Sequence, residues 1–196
     1  GPISKSILPR MTIAAATNNK RRVSALFEFT SNFFSILVVA IFTVAILLST
    51  KLFAFWLGDK VDLEKTILVF LLFLLGNSAA LINSVAYYYQ LAIGNLKLHR
   101  NGNILLLIYF LLVTLPAIFY FSYYGAAISW IVANVGYHLL VVRRINIRVE
   151  YKGFSSVVWL VLLILTLVLF VSSDIIGLIP VRLLALLLFS LNLFRI

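Results

Sequence analysis

The residues able to carry acid–base or metal chemistry are few and scattered: six carboxylates, two histidines and no cysteine in a chain of 196 residues. Catalysis on a sugar, phosphate or acyl group needs carboxylates, histidines or arginines gathered in one place to polarise a substrate and move protons. Asp59, Asp62 and Glu64 lie together, a spacing that admits a paired-carboxylate or metal site but reads first as a solvated loop balanced by Lys60 and Lys65. His99 sits in a basic stretch, and His138 lies far from it in no metal-ligand spacing. The lack of cysteine removes disulfides, thiolate metal sites and cysteine nucleophiles together. Gly76, Gly94, Gly125 and Gly136 read as close-packing or turn positions, and no P-loop is present. Neither an enzyme nor a cofactor or metal protein is expected.

Polar side chains inside apolar runs are more informative, because each is costly in lipid unless it faces another helix or a wet cavity. Asn83, Tyr87 and Gln90 follow an i, i+4, i+7 spacing and share one helical face, with Asn77, Ser84 and Tyr88 as a neighbouring stripe. Trp130, Asn134, Tyr137 and His138 line one side of a second helix. Amides hydrogen-bond sugar hydroxyls and aromatic rings stack on sugar C–H faces, which makes Asn83, Tyr87, Gln90, Trp130, Asn134, Tyr137 and His138 candidates for a substrate path. They fit interhelical hydrogen bonding equally well, with Tyr87, Tyr88 and Tyr89 as an interfacial aromatic belt. Glu28 is a candidate proton-coupling carboxylate, or else an interfacial acid beside Arg21 and Arg22. Arg182, two residues after Pro180, suits a lipid phosphate or snorkelling to the interface.

The elements that carry these stripes follow from composition. The chain is 63% hydrophobic and 11% charged, with a mean hydropathy of +1.12, whereas a soluble domain carries ~25% charged residues. Its apolar runs are continuous, not alternating, and approach the ~18 residues that cross a hydrocarbon core roughly 30 Å thick. Such runs span as helices, because lipid offers the backbone no hydrogen-bond partner. The expected fold is all-α: a polytopic transmembrane bundle with six spans near 27–49, 67–90, 104–121, 125–142, 154–171 and 175–194. Residues 1–26 read as a helix end and connection, 27–143 as four spans, and 144–196 as a loop and two further spans. Pro116 and Pro180 are expected to bend their helices.

Sidedness follows from the charges. Of the sixteen Lys and Arg residues, only Lys51, Lys60, Lys65 and Arg182 fall on one side; the others gather at Lys5 to Arg22, at Lys97 and Arg100, from Arg143 to Lys152, and at Arg195. By the positive-inside rule those segments, and both termini, are expected to be cytoplasmic. The net charge of +10 is therefore juxtamembrane charge, and no nucleic-acid partner is expected. The start at Gly1-Pro2 suggests a fragment.

Three segments carry a family resemblance. Tyr87-Tyr88-Tyr89-Gln90-Leu91-Ala92-Ile93-Gly94-Asn95-Leu96-Lys97-Leu98-His99 resembles a stretch of bacterial O-antigen flippases. Gly125-Ala126-Ala127, with Trp130, Asn134 and Tyr137 after it, is similar to their "G-A-A…W…N…Y" helix. Leu8-Pro9-Arg10-Met11 followed by Thr17-Asn18-Asn19-Lys20-Arg21-Arg22 resembles the proline-bearing helix end and polar connection before their ninth helix. The order matches, so the chain resembles the C-terminal portion, helices 9–14 of fourteen, of a Wzx-like member of the multidrug/oligosaccharidyl-lipid/polysaccharide exporter superfamily. The resemblance implies a bacterial inner-membrane transporter that flips an undecaprenyl-diphosphate-linked oligosaccharide by alternating access, without covalent chemistry. Its implied partners are that lipid-linked oligosaccharide, membrane lipids and the preceding helices of the same protein. The family's cationic cavity residues have no counterpart on the first four spans. Other readings are a drug/cation antiporter of the same superfamily, which needs an intramembrane acid, a membrane-bound glycan polymerase or acyltransferase, and a scaffold subunit.

Overall fold

The computed structural model of the chain describes residues 2–58 and 62–151, and every regular element among them is helical. Helix α1 spans Pro2–Ala16, α2 Lys20–Leu57 and α3 Leu63–Ala92. The remainder is nearly continuous helix: α4 (Lys97–Tyr109), a π-helical segment (Phe110–Thr114), α5 (Leu115–Tyr137), a second π-helical segment (His138–Val142) and α6 (Arg143–Val149). Three helical runs, Lys20–Leu57, Leu63–Ala92 and Lys97–Val149, are long and apolar enough to cross a membrane, which suits a membrane-embedded protein. The segments read as fifth and sixth spans, with Pro180 and Arg182, lie outside the described residues, as do Asp59 and Lys60.

The third run is a hairpin. Ser122 leaves the helical conformation at φ 53°, ψ −135° and turns the chain back on itself, so that Phe110 stacks on Trp130 and Gly102 lies against Tyr137 and Val141. The connection expected over Ser122 to Tyr124 thus contracts to one residue. At the bend a Cβ on Gly125 would collide with the Ala117 carbonyl, so glycine is what lets the two limbs close. Pro116 has no N–H to give the helix and its ring crowds the preceding turn; the π-helical segment that ends at Thr114, two residues before it, widens that turn.

α3 is the central helix, packed on one side by α2 and on the other by α5, with α1 laid across α2 and α3 at one end. Two apolar cores result. One joins Met11 of α1, Phe27 and Phe34 of α2, Val85 and Ala86 of α3, and Val141, Ile145 and Val149 of the hairpin; the other joins Val38, Phe42 and Ile46 of α2 to Ile67, Leu71 and Leu75 of α3. In a bilayer such cores hold by close packing, since lipid tails are as apolar as leucine. The outer faces match that setting: Phe119 is 84% exposed and Phe55 92% exposed, and the outward side of α4 and the first π-helical segment is a run of exposed Leu, Ile and Val.

Helix ends differ from the sequence expectation where charge masks apolar periodicity. α2 begins at Lys20, capped by Asn19, whose Oδ1 accepts the Arg22 backbone N–H at 3.0 Å. The stretch from 144, expected as a loop, opens instead with the last turns of the hairpin: Ile145 and Val149 are buried at i, i+4 spacing while Arg143, Arg144 and Arg148 stay exposed. Lys97 and Arg100 likewise lie on α4 and not in a loop. Asp62 is the N-cap of α3, accepting the Lys65 N–H at 3.1 Å and pairing with Lys65 Nζ at 2.6 Å. The Lys65 side chain and backbone hold its carboxyl below the usual carboxylate range. That is a solvated capping role, one of the two readings the acidic stretch admits.

Candidate functional site

A ladder of polar contacts joins α3 to the hairpin. Halfway along α3, the Trp130 indole donates to Asn77 Oδ1 at 3.1 Å, and the Phe110 ring stacks on the same indole with centroids 6.0 Å apart. Gly76 makes the room: a Cβ there would overlap Trp130 Cδ1. Farther along, Asn83 donates through Nδ2 to the Asn134 carbonyl at 2.9 Å, and its Oδ1 accepts from His138 Nδ1 at 2.9 Å. Asn134 Nδ2 donates to the Trp130 carbonyl at 2.9 Å. Asn83, Asn134 and His138 are all buried, His138 to 1% exposure. Buried polar groups need such partners, and here each stripe supplies the other's.

A second cluster centres on His99, where α3 hands over to α4. Gln90 Oε1 accepts the His99 backbone N–H at 2.9 Å, His99 Nδ1 lies 2.6 Å from the Tyr137 hydroxyl, and Asn103 Nδ2 lies 3.0 Å from His99 Nε2. With Asn103 donating, Nε2 is an acceptor and the neutral ring keeps its proton on Nδ1, facing Tyr137. The Tyr87 ring packs on the imidazole at 4.5 Å. The turn that permits this uses Gly94 at φ 69°, with the Asn95 N–H returning to the Gln90 carbonyl at 3.0 Å.

The seven candidate path residues therefore fall into two groups: Asn83, Trp130, Asn134 and His138 along the seam, and Tyr87, Gln90 and Tyr137 around His99. Glu28 is apart from both. It lies half-buried on α2 near Tyr151, whose hydroxyl donates to Asn32 Oδ1 at 2.9 Å and whose pKa is pushed up to about 12 by burial, with the Glu28 charge adding to the shift. Two residues gain weight from the structure. His99, expected in a loop, is the hub of a cluster; the Gly94-Asn95 turn is the signal that it folds back onto Gln90. Asn77, expected only as part of a side stripe, is exposed at the middle of α3. Among the described residues no three His, Asp or Glu side chains come together as a metal site would require.

Comparison with protein-family models, with curated protein sequences and with solved structures finds no match to this chain.

Proposed function

We infer that the chain is the membrane-embedded part of a flippase for a lipid-linked oligosaccharide, an undecaprenyl-diphosphate-linked sugar unit crossing a bacterial inner membrane. The observation that carries the reading is the Asn77–Trp130 pair. α3 is 30 residues long, about 45 Å at helical rise, and Asn77 stands at its centre, exposed, with an indole bonded to it. An exposed amide at mid-bilayer is costly against lipid and needs protein or water over it. Transporters place their substrate sites at that depth. An amide beside a stacked Phe110–Trp130 pair is also the chemistry that binds sugars: hydrogen bonds to hydroxyls and ring faces for C–H surfaces.

The seam below the pair supports this division of labour. Asn83 bonds the Asn134 carbonyl and His138 and so holds α3 against the hairpin, while the Asn134 amide bonds the Trp130 carbonyl; Asn77 and the half-buried Trp130 are left at the open edge. The test is complementation by the intact parent protein in a bacterium lacking its O-antigen flippase, reading surface polysaccharide and trapped lipid-linked precursor. Restored surface glycan that is lost in normally expressed Asn77→Leu and Trp130→Leu variants is the expected result. Failure to restore glycan with several matched sugar units, despite correct insertion, would sink the reading.

A further inference from the structure

A cavity at the basic end of the bundle lies apart from the Asn77–Trp130 face. It is a cleft of about 900 Å³ where the α1–α2 connection, the end of α3 and the end of α6 meet. Its floor is apolar: Ala14, Val23, Ala92 and Val149 are buried there, and the Tyr89 ring stands beside them. Its rim is cationic, with Lys20 and Arg21 from the first turn of α2 and Arg148 from the last turn of α6, against the single acid Glu150. These three cations come from segments more than 120 positions apart in sequence, and packing of α6 against α2 brings them to one rim, where Ser24 Oγ donates to the Val149 carbonyl at 2.7 Å.

None of the three has a carboxylate partner among the described residues; the one ion pair there, Lys65–Asp62, is at the other end of α3. The positive end of the 38-residue α2 helix points to the same place and adds to the potential. Tyr89 belongs to the tyrosine run that reads as an interfacial aromatic belt. A cationic rim over an apolar floor, at headgroup depth, is complementary to a phosphate attached to a lipid: the charge meets the rim and the glycerol and upper tail meet the floor. A free anion would gain nothing from the floor, and a neutral lipid nothing from the rim.

We propose that this cleft is a binding site for the phosphate headgroup of an anionic phospholipid in the leaflet facing the basic end. The site is independent of the transported substrate. On this proposal the basic residues of the rim do more than orient the helices.

The full chain in a mild detergent, exposed to phosphatidylglycerol or to phosphatidylcholine with the same tails and weighed intact by native mass spectrometry, tests this. With each juxtamembrane cation contributing on the order of a fivefold factor near an anionic surface, phosphatidylglycerol is expected to be retained at least about 10-fold better than phosphatidylcholine. The rim variant Lys20→Gln/Arg21→Gln/Arg148→Gln is expected to abolish that preference. The control Lys97→Gln/Arg143→Gln/Arg144→Gln, which removes the same charge outside the cleft, and the charge-keeping Lys20→Arg/Arg148→Lys are both expected to preserve it. No preference in the wild-type chain, equal loss in rim and control variants, loss in the charge-keeping variant, or displacement of the lipid by excess inorganic phosphate would each overturn the proposal.

Discussion

Asn83 shows most directly what the polar residues of the seam do. Its amide satisfies a carbonyl of one turn of the hairpin and an imidazole of the next. Replacing it by leucine strands a buried His138 N–H, whereas replacing both partners removes donor and acceptor together. Asn83→Leu is expected to lower stability by about 1–2 kcal/mol in detergent unfolding, and Asn83→Leu/His138→Leu to recover part of the loss. Equal losses in single and double variants would show that the pair does not act as a unit. Tyr151 offers a second handle. A tyrosine whose folded pKa is about 12, against the ordinary 10.0, stabilises the fold fully below pH 10, and that contribution declines as the pH rises from 10 toward 12. Thermal midpoints taken through this window are expected to fall less steeply for Tyr151→Phe than for the wild-type chain. Parallel slopes would refute the burial of the phenol.

At the scale of elements, the hairpin is the decisive structure, and its bend makes two testable demands. Ser122 holds a backbone conformation with φ 53°, the left-handed side that favours glycine; Ser122→Gly is expected to stabilise by about 1 kcal/mol, read as a raised unfolding midpoint. Gly125→Ala is expected to destabilise by more than about 2 kcal/mol, because the atom that must yield is the Ala117 backbone carbonyl and not a flexible side chain. An unchanged midpoint for Gly125→Ala would contradict the close approach of the two limbs. The existence of these helices was legible in the sequence, since unbroken apolar runs leave little alternative in lipid. Their ends were less so: Arg143, Arg144 and Arg148 suggest a loop, yet the helix continues because Ile145 and Val149 keep the buried spacing. The π-helical segments could not be read from periodicity, although Pro116 marks where one of them lies. The stripes on α3 and α5 were legible as faces by spacing alone. That they meet each other was not, because spacing fixes a direction around one helix and says nothing about which neighbour stands there.

For the whole molecule, the described residues form a one-sided assembly. Apolar surface covers the outer faces of α2 and α4, cations collect at the end where α1, α3 and α6 converge, and the exposed polar centre of α3 lies between α2 and the hairpin. The proposed flippase would need such an asymmetry, with lipid on one side and a hydrated passage on the other. The His99 cluster and the basic cleft sit at the same end, so a substrate or lipid arriving there would meet positive charge first. The measurement that bears most directly on the flippase reading is labelling of Asn77→Cys in the intact, reconstituted parent protein by a water-soluble maleimide, with and without undecaprenyl-diphosphate-linked oligosaccharide. Leu112→Cys, 71% exposed on the outward face two residues from Phe110, serves as the comparison. Rapid labelling is expected at Asn77→Cys, suppressed by the lipid-linked oligosaccharide, and none at Leu112→Cys in either condition. An unreactive Asn77→Cys, or one whose labelling is indifferent to that substrate, would contradict the flippase reading.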